Sequence, residues 1–424
     1  MNLLIKNGTV LLKGEFKSNM DVYIENEKIK AIDKNIEKEA FKIIDATGCF
    51  VIPGLVDMHC QISEPGYEYN ETFESGSLSA AKGGFTSITI NPDTYPTIDN
   101  KAVVEFITSK GKTESKVNIF PYGSMTKKCE GKDLAEIGDM QLSGVVAISD
   151  GDKAIQDANL MSKIIKYTNM FDITIITHCE ENLLSFNSGI NEGKTSTLLG
   201  LKGAIRTAEE IMVSRNLILA KYYNAPIHIP HISTKESVEL IRQAKKNGVN
   251  VTAETSPHYF ILNEKAVLEY NTLTKVNPPL RTEKDRVAII EAIKDGTIDV
   301  ISSDHKPSTI DLKSVEFENA SFGISALETA FPLAYTELVS KGVLTLEKLL
   351  EKMSKNPSKI LGLNKGTIKT GADADIVIVK PEKNSIDSSQ FLSKAKYSPF
   401  DNYLVDIKIQ NTIVNGVEVD IHLK

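Results

Sequence analysis

The chain has 424 residues, is 41% hydrophobic and carries a net charge of −7 from 49 Lys and Arg against 56 Asp and Glu. That is enough apolar material for two or three domains, or for one barrel with an accessory domain, at the usual ~100–200 residues per domain. The charge is dispersed with no basic run to follow a phosphate backbone, the four cysteines (Cys49, Cys60, Cys129, Cys179) form no CxxC pair, and no apolar run approaches the ~18 residues of a membrane span, so a soluble cytoplasmic protein without nucleic-acid partners is expected.

Residues 1–52 supply short β-type segments, LLIKNGTVLL, MDVYIENEKIKAI and FKIIDATGCFVI, broken by Gly, Asn and charged turns. The same texture returns in residues 366–424, where Asn415-Gly416 predicts a hairpin turn. The two ends are therefore expected to pair into one composite β-sandwich domain. Between them, in residues 53–365, eight apolar β-rich runs alternate with helical stretches such as SVELIRQAKKNG and DRVAIIEAIKDG. The runs are GLVDMH, FTSITI, VNIFPYG, GVVAIS, DITIITH, APIHIPH, NVTAE and IDVISSD. Eight strand–helix units are what a closed (β/α)8 TIM-type barrel requires, so an α/β fold follows.

Only seven histidines occur, and three fall where a barrel strand ends: His59, His178 and His231; Asp304 closes the last strand in the same way. A single strand-end His is most simply a hydrogen-bonded polar group. Parallel barrel strands all end on one rim, however, so these four converge in space, and three imidazoles with a carboxylate suit zinc. His228 and His258 read as supporting or structural residues, His422 as a surface residue of the β domain, and Cys60 and Cys179 as packing residues pointing away from their histidine neighbours.

Nine segments in order, GLVDMH, GGFTSITINPDTYP, THCEEN, HIPHIST, TSPHYF, VNPPLRTEKDR, DGTIDVISSDHKPST, FGISALETAFPL and GADADIVIV, resemble dihydroorotases of the cyclic amidohydrolase branch of the amidohydrolase superfamily, over nearly the whole chain. The resemblance implies a barrel with a small β domain and two zinc ions that make water available as a nucleophile near neutral pH and polarise a ring amide, and for this chain one or two zinc ions are expected. It implies His59 and Asp304 on one metal, His178 and His231 on the other, Asp304 as the proton shuttle and Asn277 as a substrate contact. A homodimer, and association with aspartate transcarbamoylase, belong to the same family expectation.

Five positions depart from the family pattern. Gln61 replaces a metal-binding His, Ser63 replaces the arginine that pairs with the substrate carboxylate, and Asp93 replaces an asparagine, leaving Gln61 and Asp93 as altered substrate-binding positions. Gly151 falls where the bridging aspartate stands, so that carboxylate is expected to be lost unless Asp150 or Asp152 shifts into its place, with Lys153 as a remoter alternative; Ser308 replaces a substrate-binding His. Two functions follow. One is a metal-dependent cyclic amidohydrolase acting in pyrimidine synthesis or on a related ring amide. The other is a catalytically degenerate paralogue kept as a structural or regulatory partner.

Overall fold

A computed structural model describes residues 2–171, 173–186 and 188–421. All eight expected barrel strands are present: Leu55–Asp57, Phe85–Ile90, Asn118–Gly123, Ala147–Ile148, Thr174–Ile176, Ile227–Ile229, Val251–Thr255 and Val300–Ile301. Each pairs in parallel with its sequence neighbour. The first and last strands meet through a Cys60–His305 bridge, a Gln61 N–H to His305 carbonyl bond of 2.8 Å and a Ser303 N–H to Asp57 carboxylate bond of 2.8 Å. These links bring the ends of strand one and strand eight, which carry His59 and Asp304, side by side.

Local sequence explains the surrounding helices. The helix Lys235–Lys246 begins at Thr234, whose hydroxyl accepts from the Ser237 N–H, and it buries Val238, Ile241 and Ala244 along one stripe. The helix Glu283–Asp295 starts at a reciprocal Thr282–Asp285 cap and stops at Gly296 in a left-handed conformation. Such helices cover the outside of the sheet, and the apolar barrel core fills the space between them.

The two termini combine in a second eight-stranded sheet. Asn2–Leu12 lies between Glu15–Glu25 and Phe50–Pro53, and the latter pairs with Ile376–Ser385 from the other end of the chain. Leu404–Val414 and Val417–Val419 then form the expected hairpin, with Asn415 (φ 49°) and Gly416 (φ 78°) both in the left-handed region. Residues from both termini, including Ile5, Val22, Ile24, Val51, Ile376, Ile378 and Ile413, share one buried cluster. His422, expected at this surface, lies outside the described residues.

Candidate metal centre

The barrel rim gathers histidine and carboxylate side chains. His59 Nδ1 lies 3.2 Å from Glu254 Oε1, and its Nε2 faces Asp152 Oδ1 at 3.6 Å and Asp304 Oδ1 at 3.7 Å. Ligand atoms of His59, Asp152 and His231 all fall within 4.8 Å of one another. His178 joins through His231: its Nδ1 is 3.3 Å from His231 Nε2, while its Nε2 is 2.9 Å from Glu180 Oε2. The sequence-expected set His59, His178, His231 and Asp304 is thus brought to one place, with Asp152 among them.

Of the two alternatives for the bridging place, Asp150 and Asp152, it is Asp152 that lies beside His59. Gly151 adopts φ 62°, and a Cβ built on it would stand 3.3 Å from the Asp93 carboxylate, so the position does not favour a side chain. Just past this left-handed turn, Asp152 Oδ1 lies 3.6 Å from His59 Nε2. Asp150 is spoken for elsewhere, accepting from the Met125 and Thr126 N–H groups at 2.7 and 3.0 Å.

The imidazoles of the set are shifted in opposite directions. Burial works against a charged His59, yet Asp152, Glu254 and Asp304 hold its imidazole well above the ordinary value. His231 behaves oppositely: burial, with His178 and His59 beside it, pushes it down to about 3, leaving a neutral ring. Burial would raise Glu180, but the His178 ring brings it down to about 2. These residues fit a divalent ion. The 3.3 Å between His178 Nδ1 and His231 Nε2 is close to the edge of a tetrahedron with Zn–N bonds of ~2.0–2.1 Å, and one oxygen each of Asp152 and Asp304 faces His59 Nε2 beside them. His231 and Asp304 also adopt φ of 39° and 53°, left-handed conformations that cost non-glycine residues energy and concentrate at functional sites.

A layer of partners orients these groups. Glu254 spans His59 and His228, the latter 3.2 Å from its Oε2, and His228 Nδ1 is 2.8 Å from the Thr252 hydroxyl. His258 Nε2 stands 3.2 Å from Asp304 Oδ2, and Asn277 donates to Glu180 at 3.0 Å. Sequence reasoning missed Glu254, Glu180 and Lys306. An acid inside the otherwise uncharged NVTAE strand was the available signal for Glu254.

The altered positions form their own network. Gln61 Nε2 donates to Asp93 Oδ2 at 2.9 Å, Lys306 pairs with Asp152, and Ser308 bonds the Tyr397 hydroxyl at 2.9 Å. Ser63 is buried and its carbonyl accepts from the Tyr67 N–H. Burial raises the Asp93 carboxyl, an effect that the Lys306 ammonium opposes. A cavity of about 710 Å³ opens onto Asp152, Glu180, Asn277 and Lys306.

The comparisons agree with this geometry. A family model described as dihydro-orotase-like matches residues 48–237. A dihydroorotase of Acetivibrio thermocellus is 50% identical over 416 residues, 98% of this chain and 98% of its own. Another, from Ruminiclostridium cellulolyticum, is 50% identical over 99% of this chain and 98% of its own. Among solved structures, the L-hydantoinase (dihydropyrimidinase) of Arthrobacter aurescens superposes with a TM-score of 0.89 at 28% identity, covering 98% of this chain and 95% of that one. The cyclic-amidohydrolase reading is therefore favoured over the degenerate-partner reading, and the chain belongs to the dihydroorotase family of cyclic amide hydrolases.

Proposed function

We propose that the chain is a zinc-dependent dihydroorotase, interconverting dihydroorotate and carbamoyl aspartate in the cytoplasmic synthesis of pyrimidines. The observation that carries this reading is the convergence of His59, Asp152 and His231 beside Asp304 at the barrel rim. His59, His178, His231 and Asp304 would hold the metal, joined by Asp152. Bound there, zinc lowers the pKa of water and polarises the scissile carbonyl.

The protein's own groups account for the rest of the reaction. Hydrolysis puts the oxygen of water on the ring carbonyl carbon and a proton on the departing ring nitrogen. Asp304 suits the proton transfer: one carboxylate oxygen faces His59, the other faces His258, so its orientation is fixed from both sides. Asn277 presents its amide at the cavity beside Glu180 and is assigned a substrate contact. Asp93 Oδ1 is a buried acceptor with no hydrogen-bond partner among the described residues, which suits an N–H of a cyclic amide, while Gln61 holds the other oxygen. In this proposal residues 1–52 and 366–424 form the supporting β domain and residues 53–365 the catalytic barrel, with a homodimer as the working assembly; association with aspartate transcarbamoylase stays a secondary expectation.

The test is direct. Zinc-loaded protein is assayed for dihydroorotate hydrolysis beside a neutral dihydropyrimidine and a hydantoin, together with a Gln61→His, Ser63→Arg, Asp93→Asn variant. The proposal expects dihydroorotate to turn over and to be preferred. Preference of the natural chain for the neutral rings, reversed in the triple variant, would move the substrate to an uncharged ring amide within the same reaction class.

A further inference from the structure

We infer that Lys306 is a built-in second cation of the centre, so that the chain binds one divalent ion where its donor set would otherwise hold two. This rests on reading the rim as a metal site, and it concerns how many ions that site takes.

The two oxygens of Asp152 face different partners. Oδ1 faces His59 Nε2 at 3.6 Å, toward the His59–Asp152–His231 group, and Oδ2 is bonded by the Lys306 ammonium. A carboxylate shared between two metal ions needs a free oxygen for each, and here one oxygen already has its cation. Beyond Asp152, the Gln61 amide nitrogen and one Asp93 oxygen are also paired. Gln61 turns its amide N–H to Asp93, and Asp93 in turn lies in the field of Lys306. Gln61 offers at best a neutral amide oxygen, a poorer zinc ligand than an imidazole nitrogen. Among the described residues, His59, Asp152 and His231 form the one group of three such residues whose ligand atoms all lie within 4.8 Å of one another, and His178 adjoins it through His231.

Lys306 is also held by its surroundings. Its N–H donates to the Ile324 carbonyl at 3.0 Å, and the preceding His305 accepts the Ala326 N–H at Nδ1, 3.0 Å away. Gly323, at φ 105°, passes so close that a Cβ there would stand 2.3 Å from the Lys306 carbonyl oxygen and 2.6 Å from its Cβ. The 323–326 segment thus fixes the backbone from which the ammonium reaches Asp152. A fixed ammonium supplies one positive charge but no open coordination position, so it balances the carboxylates without activating a second water.

Zinc bound per chain, measured by elemental analysis after dialysis at buffered free zinc, tests the inference without reference to turnover. The natural chain and Lys306→Arg are expected to bind one ion, and Lys306→Met and the Gln61→His, Lys306→Met double variant to bind two, with circular dichroism reporting the fold. Two ions in the natural chain would overturn the role of Lys306 while leaving the metal centre standing, and so would one ion in the folded double variant. No ion in any form would overturn the metal-centre reading itself.

Discussion

The barrel rim and the terminal sheet are built by opposite rules. In the terminal sheet, Ile5, Val22, Ile24, Ile376 and Ile378 are buried against one another, and left-handed residues such as Asn26, Glu27 and Asn415 sit in its turns. At the rim, His231 and Asp304 are left-handed at strand ends, and His231 Nδ1, His258 Nε2, Asn91 Oδ1 and both Glu254 oxygens are buried without well-formed hydrogen bonds. Uncompensated polar groups and strained backbone cost stability, and they persist where a ligand or a reaction uses them. One region holds the fold together and the other spends stability on chemistry.

Substitutions should separate the two. Asp304→Asn removes the carboxylate to which the proposed reaction assigns the proton transfer and is expected to lower kcat by ~10²–10⁴-fold, with a modest change in Tm. Steady-state kinetics beside a thermal melt would check this, and a tenfold or smaller loss would remove Asp304 from the reaction. Ile24→Ala in the terminal sheet should do the reverse, lowering unfolding free energy by about 2–5 kcal/mol in a denaturant titration while kcat stays within about twofold. Glu254→Gln keeps the shape but loosens the hold on His59 and His228, and zinc affinity is expected to fall by ~10–100-fold in a competition titration. Gly151→Ala forces a side chain onto a left-handed residue against Asp93, at a cost of about 1–2 kcal/mol in the same denaturant titration.

A smaller effect lies away from the rim. Burial pushes Lys352, whose ammonium donates to the Ile298 carbonyl, down to about 8. The unfolded chain, with an ordinary lysine near ~10.4, binds more protons than the folded one between these values, so stability should rise with pH there by about 1 kcal/mol per unit. Denaturant titrations across that window should show the slope, and Lys352→Met should remove it. An unchanged slope would mean the ammonium is better satisfied by its carbonyl partner than its burial suggests.

Much of this was legible in the sequence because barrel strands announce themselves. FTSITI, DITIITH and APIHIPH are apolar, β-branched and bounded by helical stretches, and a residue at a strand end needs no further information to be placed on the rim. His59, His178, His231 and Asp304 were found in that way. Asp152 entered only as one of two alternatives, because matching positions without gaps sets Gly151 in the bridging place, and it is the folded chain that puts Asp152 near His59 and Asp150 on the Met125 and Thr126 N–H groups. Lys306 was invisible for a different reason. A lysine two residues past a strand end is usually a solvated loop residue, and its pairing with Asp152 joins positions 154 residues apart. Glu254 and His228 face the barrel interior from neighbouring strands, a relation fixed by the register that sets His228 beside Thr252.

The central claim is that the rim remains a working metal-dependent hydrolase despite Gln61, Ser63, Asp93 and Ser308. Its most direct test is dihydroorotate hydrolysis by the natural chain before chelation, after chelation and after zinc is returned. The account predicts turnover that disappears with the metal and comes back with it; a folded, zinc-loaded chain that hydrolyses neither dihydroorotate nor a related ring amide would contradict it.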